Sequence, residues 1–300
     1  MPVNELDNVF ATASSSACPY PKRGAAGHRR RCSSPRAVSE PHDRNERSRP
    51  RTAASVTVSS LARKITDVLM RAPHIPPVYA PPDKTMVITV PATAVGVTNG
   101  LLLRFPQVYC VGDLSLLERP RVAIVGARKA SVEGRRRASQ LARDCARAGV
   151  VVVSGLAEGI DHAAHTAAIE HGGKTIAVVG TPLDKVYPAK HADLQQAIYR
   201  EHLLMSPFEW GREFVPKNFP ERNRIMARIA QATVIIEASD TSGSLHQAAE
   251  SVDVGHPVFI AGAVIDNPKL SWPRRFLGID KPLGRELRKS SDVIRYALGS

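Results

Sequence analysis

The 300 residues are 43% apolar and 23% charged, which excludes a wholly disordered chain and leaves ample material for one or two packed domains. The formal net charge of +13 points instead to a polyanionic partner, either nucleic acid or an acidic surface. The cysteines Cys18, Cys32, Cys110 and Cys145 show no Cys-x-x-Cys spacing, which argues against a disulfide framework or zinc site and suits a reducing cytoplasm. Glu5 and Asp7 stand where a secretory signal needs a basic start and an apolar stretch. The longest uncharged stretch, residues 86–103, is interrupted by Pro91, Gly96, Asn99 and Gly100, so no membrane span is expected and a cytoplasmic location is.

In chain order, residues 1–60 read as disordered, with Arg29-Arg30-Arg31 and Ser33-Ser34-Pro35-Arg36 setting an Arg/Ser/Pro-rich composition. This tract is either a basic arm for nucleic acid or an unstructured leader. A short helix is expected within residues 60–70, and residues 73–82 form a proline-rich connector; residues 61–106 as a whole are poorly defined. From residue 107 the pattern changes. Val122-Ala123-Ile124-Val125 is a short β-branched run ending at Gly126, as expected of a strand buried on both faces. A helix is predicted over 134–148, with Ala138, Leu141, Cys145 and Ala148 on its apolar face. Further strands are expected at 150–153, 175–179, 203–206, 233–236 and 258–261, and Asp161 is read as the N-cap of the helix after Gly159. Strands alternating with helices predict an α/β fold with a doubly wound, mostly parallel sheet. Ligands on such sheets lie at the carboxyl ends of the strands.

Several turns there offer groups that suit phosphate. Gly126-Ala127-Arg128 combines a tight turn and a forked cation, although Gly126 also suits strand–helix packing alone. Ser154-Gly155 and Gly159 form a second candidate anion nest. Lys217, Asn218, Arg222, Asn223 and Arg224 cluster around Phe219, a ring able to stack on a base or pack in the core. Arginines at alternating positions cannot all share one helical face, so some must reach into the cleft. Ser242-Gly243-Ser244 supplies a third set of amides and hydroxyls. No Gly-x-Gly-x-x-Gly precedes an acidic ribose partner, so an NAD site is not expected. Asp161, His162 and His165 lack further ligands, so no metal or other cofactor is expected and His165 reads as a packed helix residue. Glu237 and Glu250 are candidate acids without a paired base.

Taken together, residues 121–128 with Ser131 and Gly134, residues 153–161 with Ala164-His165, and Gly180, Leu183-Asp184 and Val186-Tyr187-Pro188 resemble the DprA/Smf family of DNA-processing proteins. Asn218-Phe219-Pro220, Arg222-Asn223-Arg224 and Ser242-Gly243-Ser244-Leu245 extend the resemblance, which covers residues 107–262. It implies an extended Rossmann-like domain over 107–265, followed by a C-terminal extension over 266–300. It also implies a non-catalytic protein that binds single-stranded DNA, forms homodimers and loads RecA recombinase during natural transformation. By position, Arg128, Lys217, Asn218, Arg222, Asn223 and Arg224 would make the cationic pocket. Gly126, Ser154, Gly155, Ser242, Gly243 and Ser244 would line its floor, and Phe219 would meet the DNA. Where the family runs Ile-Thr-Ala the chain has His246-Gln247-Ala248, and neither the family's N-terminal helical domain nor a winged-helix domain is recognisable. Two alternatives stand beside this reading. One is a nucleotide enzyme or sensor resembling LOG-type phosphoribohydrolases, with Glu250 as acid, although that family's Pro-Gly-Gly-x-Gly-Thr signature is missing. The other is a scaffold acting through the basic N-terminal arm.

Overall fold

The computed structural model describes residues 78–300; the expectations for residues 1–77, including the basic arm, the helix at 60–70, Cys18 and Cys32, lie outside the described residues. Nine strands build one sheet: β1 (Ile88–Pro91), β2 (Gln107–Gly112), β3 (Arg121–Gly126), β4 (Val151–Ser154), β5 (Thr175–Val178), β6 (Leu203–Ser206), β7 (Ala232–Glu237), β8 (Val258–Ala261) and β9 (Gly284–Leu287). Their spatial order is β1-β2-β6-β5-β4-β3-β7-β8-β9. Only the β1–β2 and β2–β6 pairs are antiparallel. The helices are α1 (Asn99–Arg104), α2 (Val132–Arg147), α3 (Ile160–Glu170), α4 (Ala192–Glu201), α5 (Asn218–Ile229), α6 (Ser244–Asp253), α7 (Gly262–Ile265) and α8 (Ser290–Ala297).

The side chains of β3 explain its unbroken apolar run. Val122 and Ile124 enter a core with Leu141 and Cys145 of α2 and Ala164 of α3. Ala123 and Val125 enter the opposite core, with Ile225 and Met226 of α5. A period of two on a sheet covered on both faces needs apolar residues at every position. The same logic explains β4, whose four residues are all buried. Burial pushes the Cys145 thiol up to about 12, consistent with a packing residue.

Strand order reverses at β3, which pairs with β4 on one side and with β7 on the other. The chain leaves the carboxyl ends of β3 and β7 in opposite directions there and opens a crevice. The sheet also runs past both expected limits of the parallel region, with β1 before residue 107 and β9 after residue 265. Tyr79 and Ala80, within the expected connector, are tied to the sheet layer: the Tyr79 hydroxyl donates to Leu183 O at 2.7 Å, and Tyr199 donates to Ala80 O at 3.0 Å. One local expectation is corrected. Gly159 is the N-cap of α3, and Asp161 lies in its first turn, where its carboxylate accepts from the Gly155 amide at 3.2 Å.

His165 is fully buried, as the packed reading expects, with Nδ1 2.7 Å from Thr175 Oγ1. Burial, reinforced by neighbouring histidines, depresses its pKa to about 3, and burial also lowers His162, His191 and His202. The His165 ring therefore stays neutral in the fold, while in the unfolded chain it takes up a proton below about pH 6.5. Its contribution to stability is complete above that pH and falls as pH drops, by about 1.4 kcal/mol per unit, and the lowered His162, His191 and His202 act in the same direction. Thermal melts between about pH 7.5 and 5 should show a falling Tm, less steep in His165→Asn. A flat wild-type profile over that window contradicts this account.

Candidate nucleic-acid interface

At the β3/β7 crossover lies a cavity of about 770 Å3. Gly126, Ala127 and Arg128 form one lip, Phe219, Pro220 and Asn223 of α5 a second, and Ser242, Gly243 and Ser244 at the start of α6 a third. Two helices point their amino ends here, and they are used differently. At α2 the Ser131 amide and hydroxyl donate to the Glu237 carboxylate, at 3.0 and 2.6 Å, so a protein anion already fills that terminus. Glu237 is thus a capping acid. At α6 the end opens onto the cavity, with Ser242 and Ser244 hydroxyls 2.7 Å apart.

The start of α5 sorts the Arg222-Asn223-Arg224 run by direction, as roughly 100° per residue requires. Arg222 points inward and is only 3% exposed; its Nη1 donates to Val178 O at 2.9 Å. A β-carbon on Gly155 would land on this guanidinium, so that glycine makes room for an arginine. Burial lowers Arg222 to about 10, opposed chiefly by Asp161, and the group remains cationic at neutral pH. Burial raises Asp161, and Arg222 is the largest influence holding it down. Asn223 faces the cavity and donates to Gly243 O at 3.2 Å, tying α5 to the α6 turn. Arg224 points away and pairs with Glu221 and Glu250, each at 3.5 Å.

Two positions expected in the pocket sit elsewhere: Arg224 is a surface ion-pair member, and Ser154 is buried with its hydroxyl donating to Ile124 O at 2.7 Å, whereas Arg222 is a buried support in the cavity wall. Asn218 is also buried, with its Nδ2 unpartnered, and Lys217 is exposed at the N-cap of α5. Of the polar departures, His246 is exposed while Gln247 is buried at the cavity wall. Glu250 lies outside the cavity lining, engaged by Arg224 and Arg228. That position removes the geometric basis for its role as a catalytic acid.

Arg128 and Phe219 do come together. The exposed guanidinium lies 4.6 Å from the centroid of the half-buried ring. Two unanticipated rings complete the group: Tyr187 and Phe214 are stacked at 5.3 Å with a 24° interplanar angle, and each centroid is 5.5 Å from Phe219. Tyr187 is 46% exposed, so the cluster is an open platform beside a cation. Gly180 beneath it leaves room for Phe219, whose Cδ1 would lie 2.7 Å from an added β-carbon. Among the described residues, no group of three or more His, Cys, Asp or Glu is placed to hold a metal ion, and no helix is long and apolar enough to cross a membrane.

The fold and the cleft define a doubly wound, Rossmann-like α/β protein with a cationic, aromatic-edged crevice at the sheet's switch point. The family model described as DNA recombination-mediator protein A matches residues 103–275, and the chain belongs to that family, known as DprA/Smf. The chain is 42% identical over 156 residues to the DNA processing protein DprA of Streptococcus pneumoniae, covering 52% of this chain and 55% of that protein. The X-ray structure of that species' DprA superimposes with a TM-score of 0.57 at 36% identity, covering 63% of this chain and 66% of the other. DprA from Helicobacter pylori, whose structure concerns its single-stranded DNA binding mode, gives a TM-score of 0.60 at 26% identity, covering 71% and 96%. The chain spans about half the length of the curated relatives it matches.

Proposed function

We propose that this protein binds single-stranded DNA in the switch-point crevice, stacking bases on the aromatic platform while Arg128 neutralises backbone phosphate. The observation that carries this reading is the Arg128 guanidinium 4.6 Å from Phe219, in a ring cluster open to solvent through Tyr187. Stacking on an aromatic side chain contributes about 1–3 kcal/mol per base and needs a base face that duplex DNA hides. The open end of α6, with Ser242, Gly243 and Ser244, adds donors that position a phosphate without reading sequence. Gly126 gives the Arg128 loop its tight approach to β7. Lys217, exposed at the start of α5, adds positive charge on the approach.

Family membership supports the finer points: a non-catalytic, cytoplasmic homodimer that protects exposed strands and hands them to a RecA-type recombinase. The test is fluorescence anisotropy of labelled single strands across a salt series, with wild type and Arg128→Ala. Loss of one phosphate contact should weaken binding and flatten the log–log salt slope by about 0.7–1. A folded Arg128→Ala protein with the wild-type slope would overturn the assignment of Arg128.

A further inference from the structure

A second groove of about 470 Å3 adjoins the crevice, between α2 and the β9–α8 connection. Arg136, Arg137, Glu286, Arg288, Lys289 and Ser290 line it, so four cations face one carboxylate. Arg137, Ile236 and Ala263 line both cavities, so the two lie side by side at the carboxyl ends of β7 and β8. The cations are available to solvent and ligand: the Arg136 and Arg288 side chains are 68% and 77% exposed. Arg136 and Arg137 share Glu133, Arg288 pairs with Glu286, and Lys289 has no ion-pair partner among the described residues. Exposed pairs of this kind are worth little and exchange readily for phosphate. The groove has no aromatic lining, in contrast to the platform. Its chemistry suits the sugar–phosphate chain and not the bases.

We infer that a strand held at the aromatic platform continues into this groove, where Arg136, Arg288 and Lys289 track its phosphates and lengthen the binding site. Arg288 and Lys289 lie beyond the residues 103–275 matched by the family model. The inference rests on the crevice being a single-strand site, and the experiment separates the two. Oligothymidylates from about 4 to 16 nucleotides are titrated into wild type, Arg128→Ala and the triple variant Arg136→Ala/Arg288→Ala/Lys289→Ala over a salt series. Charge reversal, Arg288→Glu/Lys289→Glu, provides a second, stronger perturbation at exposed sites.

The expected result is unchanged affinity of the triple variant for the shortest strands that bind. For long strands it should lose the gain in affinity seen with wild type, and its salt slope should fall by about 2 for three phosphates. Charge reversal should weaken long-strand binding further. Wild-type affinity and slope for long strands in both variants, with Arg128→Ala still impaired, would overturn the extension and leave the crevice reading intact. Equal loss at every length would also overturn it, because the groove would then not be an extension. No binding of any strand by wild type would remove the crevice reading and the extension with it.

Discussion

Arg222→Ala should lower the free energy of unfolding by about 3–5 kcal/mol, the range for breaking a buried charge arrangement from one side. The side chain is 3% exposed, fills the space that Gly155 leaves, and donates to Val178 O at 2.9 Å. Its removal strips a carbonyl of its partner and leaves Asp161, 5% exposed, without the cation that most counters its burial. A cavity opens under the β4 and β5 turns at the same time, and single-strand binding should fall because the floor of the site collapses. Arg222→Met, which keeps bulk but not charge, should remain destabilised. Urea denaturation measures the change directly. Wild-type stability in Arg222→Ala combined with lost DNA binding would mean that the guanidinium reaches the ligand itself, contrary to its buried position.

Gly159→Ala should be comparably damaging, at about 3–5 kcal/mol, from backbone strain and overpacking together. Gly159 has φ 79° and ψ −115°, a conformation that side-chain-bearing residues avoid. An added β-carbon would also press on the Ala127 carbonyl oxygen and sit 2.5 Å from the Arg128 carbonyl oxygen. Those obstacles are backbone and cannot rotate away. The loop must move, carrying Arg128 off Phe219, so binding should weaken together with stability. Gly172→Ala is the control: φ is also positive, at 69°, but the added atom meets nothing. It should cost only about 1 kcal/mol, from the backbone alone. Equal effects at the two sites would show that crowding against the Arg128 loop contributes nothing.

The centre of the fold was legible in the sequence for a definite reason. Strands buried on both faces must be continuously apolar, and β3, β4 and β7 end at turns whose residues stand out against those runs. The edges were not legible: Gly284-Arg285-Glu286-Leu287 is short, polar and largely exposed, and joins the sheet through its backbone pairing with β8. At the site, sequence gave residue types but not directions. The spacing of Arg222 and Arg224 showed that they could not share a face. Only packing against Gly155 decides that Arg222 goes inward, and the Glu221 and Glu250 carboxylates draw Arg224 outward. Tyr187 and Phe214 went unassigned because they lie on loops that reach Phe219 only through the fold. Tyr187 did carry a signal, in the Val186-Tyr187-Pro188 motif of the resemblance, and Phe214 lies just before the basic cluster in a chain with only 5% aromatic residues.

The most direct test of the central claim is the anisotropy of the wild-type protein with matched single-stranded and duplex oligonucleotides over a salt series. The account predicts steeply salt-dependent binding that clearly favours the single strand, because phosphate contacts are common to both but open base faces are not. Equal affinity for the two forms, or no binding at low salt, would contradict it.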